Sequence, residues 1–374
     1  MTTVGIITMH TPLNYGSYLQ TYATYMFLKE NGYSPTIINY KYPTNYHKQL
    51  AQNNNAPEIR HSFIYNKISG LCRRLLKVNS DELRKKMQSF YLQNLTFTKE
   101  YNSAEELKKD PPLFDIYLSG SDQIWNPLYI GKDTTYMLSW VPEGRKKIAF
   151  SSSFALTELP SEYFYLYKES LEKYQSISIR ECSNIPQHLL GHNVPVTIDP
   201  TLLFPKNKWK QLVKSTPIVK GKYVLCYLLG YKFNPNPYAL KLAKHIANKI
   251  GAKVVAIGGE PINVLKGIKV IPNCGPEEFL NLFYYSEFVI TSSFHGTIFA
   301  LNFEKPLLSI VSDTSTKDNR QISFLNRLGL KEQCVIKNTP FDNISMPVIK
   351  KEAIDKLDSL REMSVTYFLN ALSL

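Results

Sequence analysis

The sequence predicts an α/β protein built from two parallel-sheet units, and three observations predict it. The chain has 374 residues, beyond the size at which one hydrophobic core usually stops growing. Short apolar stretches recur, each running straight into a turn rich in Ser, Asp or Arg, with helical periodicity between them. That rhythm runs twice, and "DPTLLFPKNKWKQLVKSTPIVKG", rich in Pro and Lys, lies between the two runs. The expected units are residues 1–204 and 205–345, with a helix over 346–374 that packs back across the hinge.

The opening segment reads strand "VGIITM", loop "HTPLNYG", helix "SYLQTYATYMFLKEN", Gly32 as a stop, and strand "TIINY". Leu19, Tyr22, Ala23, Met26 and Phe27 share one helical face, and the short return suits a right-handed βαβ unit, a Rossmann-like start. Residues 43–110, with Asn-, Tyr- and Lys-rich loops and a basic helical segment, read as an insertion decorating the first unit. "FDIYLSGSDQIW", "KKIAFSSSFA", "YQSISIRE" and "VPVTIDP" then each place a short strand before a polar turn. In the second unit "KYVLCYLLG", "VVAIGG", "IKVI" and "SEFVI" read as strands, and "LLSIV" closes the sheet. The helices between them are "NPYALKLAKHIANKIGAK", ending at Gly251, "PEEFLNLFYYS", with Pro at N1 and two acids in its first turn, and an apolar helix from Gly296.

Composition narrows the class. With 44% apolar and 13% aromatic residues the chain is neither disordered nor fibrous, and no apolar run is long enough for a membrane span. "MTTVGIITMH" lacks the basic region and cleavage site of a signal peptide, so a cytoplasmic protein is expected. The five cysteines are scattered and never in CxxC spacing, which argues against disulfides and zinc. A net charge of +13 calls for an anionic partner. The densest basic stretch, "YNKISGLCRRLLKVNSDELRKKMQSF", carries no nucleic-acid motif, so nucleic acid is not expected. Either it is a solvated helix face or it makes peripheral contact with an anionic inner membrane surface.

Open parallel sheets bind ligands outside the carboxyl ends of their strands, so the residues there are the candidates. His295 follows Ser292 and Ser293 and precedes Gly296 at a helix start, where free N–H groups and the helix dipole favour an anion. An imidazole beside such an anion is favoured in its protonated form and suits a general acid; a satisfied structural histidine is the competing reading. Asn14, Gly16 and Ser17 fill the first βα turn, as ligand contacts or as a plain cap. Arg180 ends "SISIR" and either grips an anion bidentately or pairs with Glu181 or another acid. Arg320 could be a second anion clamp. Asp122 and Gln123 either cap a turn or bind a sugar hydroxyl, and Ser152 and Ser153 suit a phosphate without forming a nucleophile elbow.

"NYGSYLQTYA", "LSGSDQIWNP", "AFSSSFA", "ISIRE", "TIDPTLLF", "ITSSFHGTIFAL" and "NRQISFLNRLGL" occur in this order, and together they resemble the polysaccharide pyruvyl transferase family. The resemblance spans about residues 4–330. It implies a GT-B-like fold, two Rossmann-type domains with parallel sheets facing an interdomain cleft. It also implies transfer of pyruvate from phosphoenolpyruvate onto two hydroxyls of a sugar, first of all a galactose-type 4,6-diol in a surface or capsular polysaccharide precursor, with release of phosphate. On this reading His295 protonates the enol methylene, Asp122 accepts a hydroxyl proton, and Arg180 and Arg320 hold the donor's carboxylate and phosphate. No cofactor and no metal are expected, and the acceptor is free or lipid-linked. The family commonly has Arg-Leu-His where this chain has Ser293, Phe294 and His295, so another cation must replace that arginine. Two other readings stay open: a GT-B glycosyltransferase using a nucleotide sugar, disfavoured because the turn at Ser292 to His295 offers no acid, and a catalytically silent binding member of the family.

Overall fold

The computed structural model describes residues 1–42, 63–230, 234–313 and 319–373. The chain divides into two compact units: Met1–Asn54 with Tyr91–Leu203 and Leu357–Leu374, and Asn55–Phe90 with Phe204–Lys356. Among the described residues no helix is long and apolar enough to cross a membrane.

The first unit is built on five parallel strands, β1 (Thr3–Ile7), β2 (Ser34–Ile37), β3 (Ile116–Ser119), β4 (Lys146–Ser152) and β5 (Ser176–Ile179), in the order β2-β1-β3-β4-β5. Strand order reverses between β1 and β3, which makes the crevice above these two the topological switch point. The three central strands β1, β3 and β4 are nearly all buried, as expected of a sheet covered on both faces, and the edge strands β2 and β5 are about half buried. Helix α1 (Tyr15–Glu30) follows β1 and is buried almost all round from Tyr15 to Tyr25, beyond the single apolar stripe that its sequence suggests. The extra cover comes from far along the chain. Tyr91 stacks on Tyr18 at 3.9 Å, and Phe368 of the last helix stacks on Phe27 at 5.2 Å and on Phe150 at 4.0 Å. The C-terminal segment therefore completes the first unit's core.

The expected strand in "VPVTIDP" does not form: Val196 makes a single bridge to Ile179, and the chain turns into a 3-10 turn over Pro200–Leu202. Two prolines, Pro195 and Pro200, remove donors on either side of it, so a continuous ladder cannot be sustained.

The second unit has six parallel strands, β6 (Tyr223–Tyr227), β7 (Lys253–Ile257), β8 (Lys269–Ile271), β9 (Phe288–Thr291), β10 (Leu307–Val311) and β11 (Cys334–Ile336), in the order β11-β10-β9-β6-β7-β8. Its switch point lies between β6 and β9. The sheet does not close at "LLSIV" as its sequence suggests: β11 extends it by pairing Cys334 to Ile336 with Ser309 to Val311. Three residues carry too little periodicity to announce a strand.

The helices that follow α1, numbered along the described chain, are α2 (Phe63–Leu75), α3 (Ser80–Asn94), α4 (Ala104–Lys109), α5 (Pro127–Ile130), α6 (Phe164–Leu171), α7 (Ile185–Leu190), α8 (Lys206–Lys210), α9 (Asn236–Ile250), α10 (Pro276–Tyr284), α11 (Phe294–Asn302), α12 (Asn319–Arg327) and α13 (Lys351–Ser373). Part of the basic insertion corrects its expected place. Its loops over residues 43–62 lie outside the described residues, but α2 and the start of α3 belong to the second unit. Specific polar contacts hold them there. Lys86 Nζ meets Glu278 at 2.9 Å and donates to the Asn273 carbonyl at 2.9 Å, and the Tyr65 hydroxyl donates to Glu260 at 2.5 Å.

Candidate functional site

In the first unit the predicted residues gather above β1, β3, β4 and β5. Asn14 caps α1, its side chain accepting from the Gly16 N–H at 2.8 Å, and so Ser17 stands in the first turn. The Ser17 hydroxyl donates to Asp122 Oδ2 at 2.8 Å. Asp122 itself has a left-handed backbone, with φ of 77°, an uncommon state for a residue with a side chain. Its turn is fixed from several sides. The Gln123 N–H donates to Asp122 Oδ1 at 2.9 Å, and Gln20 of α1 accepts from the Ser121 N–H at 3.2 Å while donating to Thr8 at 2.8 Å. Gly120 admits no side chain, because a Cβ there would lie 2.2 Å from the Phe150 carbonyl oxygen.

Arg180 is the hub of this site. Nη1 donates to Asp199 Oδ2 at 2.8 Å, Nη2 to Asp122 Oδ1 at 3.5 Å, and Nε stands 4.0 Å from Glu181 Oε2. Its side chain is 1% exposed. Burial works against the guanidinium's charge, but Asp199, Asp122 and Glu181 outweigh it and raise the pKa above its ordinary value. Each carboxylate is fixed in turn: Asp199 accepts from Thr201 N at 3.0 Å, and Glu181 from the Ser153 hydroxyl at 2.9 Å and the Ala155 N–H at 2.9 Å. The expectation of Arg180 as an anion clamp is corrected here. Three carboxylates surround one guanidinium, so an anion brought to it would be repelled. The pairing with acids, weighed as the competing reading, is what the geometry contains.

The serines of β4 also turn inward. Ser152 donates to the Ser119 carbonyl at 3.1 Å and Ser153 to Glu181, which spends their hydroxyls on the framework rather than on a phosphate. Gln123 accepts from Asn126 at 3.1 Å. Of the three acids, Asp122 keeps the largest exposed fraction, 9% of its side chain against 4% for Glu181 and 0% for Asp199. Asp122 is therefore the most accessible of the three. Asp199 was missed as a site residue; it lies in the quoted "TIDPTLLF", where Asp before Pro reads only as a turn signal.

In the second unit His295 sits beside the switch point. Helix α11 begins at Phe294, two residues earlier than its apolar run suggests, because Ser293 is a true N-cap: its Oγ accepts from the Gly296 N–H at 3.3 Å. His295 is thus inside the first turn, 6% exposed. Ser292 bridges the switch point, accepting from the Leu229 N–H at 2.9 Å and donating to the Leu229 carbonyl at 3.4 Å. Both serine hydroxyls shape the turn. Gly296 is required by packing, since a Cβ there would lie 2.2 Å from Thr291 Oγ1 and 3.0 Å from the Tyr227 ring.

Arg320 completes this second cluster. Its guanidinium carbon stands 5.6 Å from the centre of the Phe294 ring, and the same ring has His295 at 5.5 Å, edge to face. Among the described residues no carboxylate pairs with Arg320. The loop before it, residues 314–318, lies outside the described residues. Two open cavities of the first unit, about 600 Å³ beside Tyr40 and Asp133 and about 370 Å³ beside Tyr174 and His192, are lined by none of these residues. Among the described residues no three His, Cys, Asp or Glu side chains are grouped to hold a metal ion.

Comparison with known proteins adds two findings. The family described as Polysaccharide pyruvyl transferase matches residues 14–314. Among solved structures, a Listeria monocytogenes protein assigned as a UDP-N-acetylglucosamine 2-epimerase matches with a TM-score of 0.51 at 13% identity, over 98% of this chain and 90% of that one. The S. aureus MnaA-UDP co-structure matches with a TM-score of 0.50 at 13% identity, over 98% and 91%. At such identity the likeness concerns the fold alone, which is GT-B-like. The comparison with curated proteins returns no match.

Proposed function

Because the chain belongs to the polysaccharide pyruvyl transferase family, we propose that it moves pyruvate from phosphoenolpyruvate onto two hydroxyls of a sugar, closing a cyclic ketal and releasing phosphate. The observation that carries this reading beyond the family is the pair His295 and Arg320 on either side of Phe294. A cation that no described carboxylate pairs, beside a helix N-terminus, suits a donor with two anionic groups, and Arg320 would fill the need left by Ser293 standing where the family commonly has arginine.

His295 gives a proton to the methylene carbon of the enol, which becomes a methyl group, and the adjacent carbon becomes electrophilic. A sugar hydroxyl adds there and loses its proton. The carbon–oxygen bond to phosphate then breaks, the second hydroxyl adds, and its proton is lost in turn. Of the two protons lost, one restores the imidazolium and the other leaves with phosphate or solvent, so the reaction needs no redox partner. Arg320 and the backbone donors of α11 hold the donor's anionic groups. Within the first unit Arg180 positions Asp122 rather than touching the donor. The acceptor is a sugar diol, with a galactose-type 4,6-diol in a surface polysaccharide precursor as the first candidate.

The test is phosphate release from phosphoenolpyruvate by the full chain, with and without a panel of galactosides and N-acetylhexosaminides. Acceptor-dependent release should collapse in His295→Ala, and in Arg320→Ala it should need far more donor. Failure to bind phosphoenolpyruvate at all would overturn the reading in favour of a nucleotide-sugar donor. Donor binding with no turnover on any acceptor would point to a silent binding member.

A further inference from the structure

Helix α2 carries an apolar stripe that the fold does not use. Ile68, Leu71 and Leu75 follow one another at helical spacing and are 38%, 58% and 72% exposed. The face that holds the helix in place is a different one: Cys72 is buried, and Leu76 packs against the second unit's core. Lys67 and Arg74 flank the stripe, and Arg73 and Lys77 lie farther round; all four are exposed. Among the described residues none of the four side chains has a carboxylate partner. The basic stretch is thus divided by the fold. Lys86 of α3 is consumed by Glu278, whereas α2 keeps its cations beside exposed leucines.

We propose that α2 is a docking surface for an anionic lipid membrane, lying flat with Ile68, Leu71 and Leu75 in the headgroup and acyl boundary and its cations on lipid phosphates. Charge complementarity selects this occupant. A nucleic acid would use the cations and leave three exposed aliphatic side chains without a role. A folded protein partner would need roughly 1,000 Å² of interface, more than one short stripe offers. A bilayer surface takes both features at once. The inference stands apart from the transfer reaction, because it concerns a surface that holds none of the residues assigned to chemistry.

The experiment is co-sedimentation of the full chain with phosphatidylcholine vesicles, with and without phosphatidylglycerol. Binding is expected only to the anionic vesicles and should weaken with salt. Leu71→Ser with Leu75→Ser should lower the affinity by at least about tenfold, the order that burying a leucine side chain contributes. Arg73→Glu with Arg74→Glu should abolish the preference for phosphatidylglycerol, while Leu113→Ser, exposed elsewhere, should change nothing. All four positions are exposed, so unfolding transitions should match wild type. Vesicle binding that is absent, or unmoved by the α2 changes, would overturn the proposal. So would a change in oligomeric state of the leucine variant without vesicles, which would assign the stripe to a second copy of the chain. Turnover on a water-soluble acceptor should be the same in all these variants, so the two proposals fail separately.

Discussion

The Ser17 hydroxyl donates to Asp122 at 2.8 Å, joining the turn after β1 to the turn after β3 where the strand order of the first sheet reverses. This bond fixes the most exposed acid of the buried cluster. It also ties the helix N-terminus that follows β1 to the charge network around Arg180.

That network makes Arg180 the most consequential side chain of the first unit. Arg180→Ala would leave Asp199, Asp122 and Glu181 buried without their cation, and removing one partner of a buried ion pair typically costs about 3–5 kcal/mol. Urea unfolding should report a loss of that order. A variant with wild-type stability but impaired donor binding would instead return Arg180 to the role of anion clamp.

Gly296→Ala tests the close packing beneath the His295 turn. The added methyl must displace Thr291 Oγ1, 2.2 Å away, or the Tyr227 ring, and overpacking of this kind costs about 1–3 kcal/mol. Turnover should fall further than stability does, since the displaced turn carries His295. Equal losses in Gly296→Ala and in a packing variant remote from the turn would remove that reading.

His10 makes stability depend on pH. Burial lowers its pKa below the ordinary 6.5, and the contacts with Asn39 and Thr8 only partly offset this. As pH falls below 6.5 the unfolded chain takes up a proton that the native site resists, so the unfolded state binds more protons and native stability decreases. The decrease should level off once the pH passes the depressed native value. Urea midpoints of His10→Gln between about pH 7 and about pH 5 should be flatter than wild type. An unchanged slope would show that other groups carry the dependence.

Phe368 links the chain's last helix to the first unit by stacking on Phe27 and Phe150. Phe368→Ala should cost about 3–5 kcal/mol, the usual range for emptying a buried phenylalanine site. Thermal unfolding checks the size of the loss, and proteolysis should release the C-terminal segment first. A variant with an unchanged midpoint would mean that α13 adds little to this core.

The sequence by itself determined the α/β class, most strands and helices, and the turns that hold Asp122, Arg180 and His295, because periodicity and turn chemistry act over a few residues. Tertiary structure decided what those side chains do. Arg180 meets Asp122 and Asp199 across 58 and 19 residues of chain, and no local pattern distinguishes an arginine that will grip a ligand from one that will be ringed by acids. The same limit hid the attachment of residues 63–90 to the second unit and the place of Arg320 over Phe294. In each case the deciding energy is an electrostatic or packing contact between distant segments, which exists only once the sheets have brought those segments together.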